Sequence, residues 1–312
     1  MKLNVMAFLV LILLIASSPV VLAGSGTTPS GIPLAEVESF VDQFVEAHIG
    51  QSTPGAAVVL VKDGEIVLSK GYGYADIDNE IKVDPANTVF EYGSVSKLFV
   101  YTTIMQLVEQ GQIDLETDIR EYLPAGFLKK LNSDTPITML NIMNHTAGFE
   151  DYLFDVILTV SDSLPALERA LQEFQPEQVY EPGTVAAYSN YAVALAAYIA
   201  EGFLGQDFYE YLMDSVFVPL GMETTSAHIT LADKPELLDS KATAYFPGRD
   251  GFSPGPWSYV VPYPAGSVTG TAEDLARFDL ALLPADGEAG PLFTKRSTLD
   301  EMLSQPIHWA RD

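Results

Sequence analysis

Apolar side chains recur at Val37, Phe40, Val41, Phe44, Val45, His48 and Ile49, a helical spacing that predicts an amphipathic helix over 36–49. His48 falls on that apolar stripe, and with no partner nearby in sequence it reads as a packed core histidine. Two β-rich runs, 57–62 and 65–69, flank Asp63-Gly64, and a two-residue Asp-Gly connection between such runs predicts a hairpin. From Leu98 to Gln110 the chain is apolar on nearly every side and stops at Gly111, as expected of a helix buried all round with a glycine cap. Residues 112–250 are loop-rich and mostly helical. Thr271-Ala272-Glu273-Asp274 then has the form of a capping box opening a helix that ends near Leu283. Neither an internal repeat nor a low-complexity tract interrupts this order.

Composition narrows the function classes. The 312 residues carry 42 acidic and 16 basic side chains, a formal net charge of −26, spread over helix faces as a solvated surface. That balance opposes nucleic-acid binding and strong docking on anionic membranes. An apolar fraction of 48% supports a substantial core. Cysteine is absent, which removes disulfides, thiolate metal sites and cysteine nucleophiles together. The four histidines, His48, His145, His228 and His308, are too scattered to suggest a metal site, and no cofactor is implied.

The N-terminus bears on compartment. Lys2, an apolar run from Val5 to Ala16, Pro19 and the ending Val21-Leu22-Ala23 form a secretory signal pattern with cleavage after Ala23. The alternative is an uncleaved anchor, but an apolar core of 12 residues is short for a span of about 20. Residues 1–23 are thus expected to be a signal peptide and 24–35 a flexible leader. Residues 36–312 then form one domain: sheet hairpin and buried helix over 36–111, a helical part over 112–250, and a return to the sheet over 251–312. The expected location is extracytoplasmic.

Two short segments carry candidate chemistry. Ser94-Val95-Ser96-Lys97 stands at the mouth of the buried helix, so Lys97 sits one turn beyond Ser94 on the same face. A solvated lysine, with a pKa near 10.4, is protonated at neutral pH, but burial disfavours the ammonium and makes proton acceptance feasible. The helix N-terminus favours negative charge developing at Ser94. Alone, S-x-x-K is also met as a helix cap followed by a surface lysine. Tyr188-Ser189-Asn190 lies at a second loop-to-helix junction, where a tyrosine can share a proton network with a lysine and an asparagine can bind a substrate amide. Its plainer reading is an N-cap by Ser189 or Asn190.

Together these segments resemble the serine β-lactamase and penicillin-binding-protein superfamily, whose signatures include S-x-x-K. The Y-x-N form of the second segment is similar to the class C and DD-peptidase-like branch. Residues 140–149, Pro182-Gly183-Thr184, Pro219-Leu220-Gly221-Met222 and Pro264-Ala265-Gly266 add to the resemblance, which runs from about Leu34 onward. It implies a mixed α/β (α+β) fold of the β-lactamase/transpeptidase type: an antiparallel sheet flanked by helices, plus a helical subdomain. It also implies that Ser94 is the acylated nucleophile, Lys97 its proton partner, Tyr188 the general base for deacylation and Asn190 a substrate-positioning residue. His145 falls in a motif of the family and reads as shaping a loop, not as a base.

One departure is visible. After Gly266 there is no K-T-G or H-x-G, the family's third motif, and Lys62-Asp63-Gly64 precedes the nucleophile. The sequence therefore reads as truncated, with an open sheet edge and one oxyanion donor missing, a loss of about 10²–10³ in turnover. The expected activity is acyl transfer from an amide, ester or lactam carbonyl through an acyl-enzyme, on a small-molecule or peptide substrate such as a peptidoglycan stem peptide or a β-lactam. The alternatives are a non-hydrolytic binding or sensor module for such peptides, and a structural protein on an enzyme-derived fold.

Overall fold

The computed structural model describes residues 26–151, 157–161, 164–249 and 251–304. The signal segment 1–23, part of the expected leader, and His308 lie outside the described residues. Among those described, no helix is long and apolar enough to cross a membrane.

Helix α1 (Leu34–Glu46) leads into strands β1 (Gly55–Lys62), β2 (Glu65–Asp76) and β3 (Ile81–Lys82), which form an antiparallel sheet in the order β1-β2-β3. The hairpin turn is the one its sequence predicts: Asp63 and Gly64 both have positive φ, 52° and 82°, and Lys62 pairs with Glu65. Strand β4 (Phe90–Glu91) runs into a 3₁₀ turn at Gly93–Ser96 and then α2 (Lys97–Glu109). Helix α3 (Met139–Met143), strand β5 (Ile157–Leu158), α4 (Leu167–Glu173), α5 (Asn190–Leu204) and α6 (Phe208–Leu212) follow. Strands β6 (Tyr245–Gly248) and β7 (Gly251–Pro254) form a second hairpin. Strand β8 (Tyr259–Val260) pairs with β5, and β9 (Thr269–Gly270) pairs with β4. Helices α7 (Ala272–Leu282) and α8 (Arg296–Leu303) complete the order, so the fold is the mixed α/β arrangement expected.

Two helices make the centre. In α5 the run Tyr191–Ala197 is buried, and its alanines keep the helix thin enough for α2 to pack closely against it. From α2, Phe99 is fully buried, edge-on to Phe217 at 5.3 Å and tilted against Phe278 at 4.3 Å. Truncating such a phenylalanine to alanine costs about 3–5 kcal/mol, so this contact holds α2 and α7 in place. Gly111, with φ 71°, ends α2 as expected.

Two local expectations change. His48 is exposed; its Nδ1 is 2.7 Å from the Phe44 carbonyl oxygen and its ring packs on Phe44 at 4.7 Å. The reason is that α1 buries only Leu34 and leaves Phe40 and Phe44 open, so its apolar stripe is largely uncovered among the described residues. The Thr271 hydroxyl caps α7 by accepting from Asp274 N–H, but the Asp274 carboxylate does not reach back to close a box. It accepts from Thr224 and Thr225 and pairs with Arg277 instead. Helix α5 ends at Leu204, followed by Gly205 with φ 70°. On the sheet, β1 has a partner strand on one side only, β2, among the described residues.

Candidate active site

The N-terminal ends of α2 and α5 meet. Ser94 is exposed in the 3₁₀ turn before α2, while Lys97, the first residue of α2, is buried. The turn is pinned from behind: buried Ser96 Oγ accepts from Val268 N–H at 3.0 Å, and Tyr92 N–H donates to the Val268 carbonyl at 2.8 Å. Ser96 is therefore spent on structure, and Ser94 faces the cleft.

Lys97 Nζ donates to Ser94 Oγ at 3.1 Å, to Asn190 Oδ1 at 2.7 Å and to the Ala265 carbonyl at 2.7 Å. All three ammonium hydrogens are thus engaged. Burial still pushes the Lys97 pKa below the ordinary lysine value, against the upward pull of Tyr188 and Asp151. Tyr188 OH donates to Ser94 Oγ at 2.7 Å, and Lys97 Nζ lies 4.7 Å from the centre of the Tyr188 ring. Half-exposed Tyr188 opens to the cleft. Ser189 caps α5 through a bond from Ala192 N–H, so its hydroxyl is occupied while Tyr188 reaches Ser94 and Asn190 reaches Lys97. Ser189 is thus the cap of this segment.

His145 positions Tyr188. The Ala187 and Gly183 N–H groups donate to the His145 and Thr146 carbonyls, each at 2.8 Å, which ties the loop before Tyr188 to the 145–148 turn. The imidazole packs on the Tyr188 ring at 4.5 Å, its Nδ1 accepts from Ser189 N–H at 3.4 Å, and Nε2 faces Tyr101 OH at 3.4 Å. Burial, aided by the Lys97 charge, holds His145 down to about 4, so it is neutral at physiological pH. It supports the loop, as its sequence position suggested.

The four residues singled out from sequence therefore converge. Two further participants were not: Asp151, which accepts from the backbone and side chain of Asn190, and the Ala265 carbonyl. A cleft of about 200 Å³ lined by Gly93, Trp257, Ser258, Val260, Gly266 and Ser267 adjoins the turn that carries Ser94. A larger cavity, about 880 Å³ between α2 and the end of α8, contains neither Ser94 nor Lys97 and lacks comparable chemistry. Among the described residues no cluster of histidine and carboxylate side chains could hold a metal ion.

Fold and site together define a Ser–Lys–Tyr constellation at a helix N-terminus on a mixed α/β scaffold. A family model described as Beta-lactamase matches residues 37–310, and the chain belongs to that family. It is 28% identical over 189 residues to Protein flp of Staphylococcus aureus (strain N315), covering 60% of this chain and 37% of that protein. The chain thus spans little more than a third of that curated relative. Among solved structures, an octameric penicillin-binding protein homologue from Pyrococcus abyssi shares the fold with a TM-score of 0.70, at 23% identity over 89% of this chain and 62% of that one. D-amino acid amidase from Ochrobactrum anthropi SV3 also gives 0.70, at 23% identity over 85% and 74%.

Proposed function

We propose that the protein is an extracytoplasmic serine hydrolase that opens an amide, ester or lactam carbonyl through an acyl-enzyme on Ser94. The observation that carries this reading is the pair of bonds on Ser94 Oγ, from Lys97 Nζ at 3.1 Å and Tyr188 OH at 2.7 Å. With Lys97 neutral, the Ser94 proton passes to Nζ as Oγ attacks the carbonyl carbon. The positive end of the turn leading into α2 favours the charge that develops there. Collapse of the tetrahedral adduct returns that proton to the leaving group and leaves the acyl ester. In deacylation a water attacks the ester and gives its proton to Tyr188 Oη, while the Tyr188 proton passes to the departing Ser94 Oγ. Atoms and charges balance without a phenolate ever accumulating.

Asn190, held beside the nucleophile, is suited to orient a substrate amide, and the cleft beside Gly93 and Gly266 to receive the acyl group. The Met1–Ala23 pattern supports an extracytoplasmic location and hence cell-wall peptides or β-lactams as substrates. Similarity to an amidase of D-amino acids favours amide and peptide substrates within that class. Turnover of a chromogenic cephalosporin, a 4-nitrophenyl ester and D-amino acid amides tests the reading. Hydrolysis of at least one, lost in Ser94→Ala, is expected; stable labelling by penicillin with no turnover would make the protein a binding module instead.

A further inference from the structure

Asp151 follows α3 by eight residues and stands behind Asn190. Its Oδ1 accepts from Asn190 N–H at 2.9 Å and its Oδ2 from Asn190 Nδ2 at 2.8 Å. A carboxylate has no hydrogen to give, so only the NH₂ end of the Asn190 amide can face it. The Oδ1 end is thereby turned to Lys97, which donates to it at 2.7 Å. If the amide flipped, two donors would face each other at Lys97 and a carboxylate would face a carbonyl at Asp151. On its other side Asp151 borders a pocket lined by the apolar Ala170, Leu171, Phe174 and Val261, with no cation among its described lining residues.

We propose that Asp151 is a positioning residue: it fixes the Asn190 amide and, through it, the Lys97 amine against Ser94. The proposal rests on the Ser94–Lys97 reading given above. Titratable groups facing Lys97 are Tyr188, the neutral His145 with Tyr101 behind it, and the Asp151 carboxylate, which favours the ammonium form. Asp151 therefore acts twice, holding the amine in place and holding its titration higher than burial alone would.

The test uses Asp151→Asn and Asp151→Glu in the full chain, with rates expressed per Ser94 reactive toward a fluorophosphonate, so that any misfolded fraction drops out. With a 4-nitrophenyl ester, Asp151→Asn is expected to lower the acylation rate by about 10²-fold, the scale of a displaced reacting group. The half-saturating ester concentration of single-turnover acylation should change little, and the acid limb of the pH–rate profile should move to lower pH. Asp151→Glu, which keeps the charge, should leave that limb near its original place. A purely structural role would lower the reactive fraction and leave both the limb and the rate per reactive site unchanged; that result overturns the proposal. If unmodified protein forms no adduct on Ser94, the underlying reading falls as well, which separates the two failures.

Discussion

Removing one oxygen from Tyr188 separates chemistry from stability. In Tyr188→Phe the ring keeps its packing on His145 at 4.5 Å, and among the described residues the bond donated to Ser94 Oγ at 2.7 Å is lost. The hydroxyl sits on a residue that is 46% exposed, so water replaces much of that bond, and the stability change belongs at or below the low end of about 0.5–1.5 kcal/mol. The catalytic loss is on a different scale. A positioned proton-transfer group contributes about 10²–10⁴ in rate, equivalent to about 2.7–5.5 kcal/mol of barrier. In the proposed mechanism Lys97 still takes the Ser94 proton during acylation, so the loss should fall mainly on deacylation. Rapid-quench or stopped-flow kinetics with a chromogenic ester should show a retained burst, a steady state slowed at least 100-fold, and an acyl-enzyme persistent enough to weigh. Equal slowing of burst and steady state, or a drop in thermal stability large enough to explain the rate, would refute the reasoning.

Two other outcomes follow from the geometry. Because the proposed acylation needs neutral Lys97 and burial lowers its pKa, the rate should be low in acid and rise with pH through a limb below the ordinary lysine value; with His145 held to about 4, no inflection near 6.5 should come from it. A pH–rate profile of single-turnover acylation checks both statements, and a limb at 10.4 or above would contradict the first. Gly148→Ala places a methyl about 2.1 Å from the Tyr180 carbonyl oxygen at a φ of +84°, so it should cost more than the ~1–3 kcal/mol of left-handed strain alone and loosen the loop carrying Tyr188; denaturant unfolding measures it.

Much of this site follows from local spacing. The Ser94–Lys97 relation is a property of one helical turn, and burial of the lysine follows from the apolar length of α2. The meeting of Tyr188 with Ser94 spans 94 residues and cannot come from periodicity; only the resemblance carried it. The Ala265 contact is made by a backbone carbonyl, which no side-chain pattern encodes. Asp151 is one of 42 acidic residues, and its position just past Gly148-Phe149-Glu150 was the sole available signal. His48 shows the opposite failure. A helical stripe states which side chains share a face, but not whether another element covers that face, and on α1 the described residues leave it open.

The central claim is that covalent chemistry resides on Ser94 alone. Ser96 and Ser189 are both buried and hydrogen-bonded into the scaffold, whereas Ser94 is exposed with two proton-active groups on its oxygen. Treating the protein with a fluorophosphonate or labelled penicillin and mapping the adduct by peptide mass tests this directly. The expected result is a single adduct on the Ser94 peptide that disappears in Ser94→Ala; an adduct on Ser96 or Ser189 with Ser94 unmodified would contradict it.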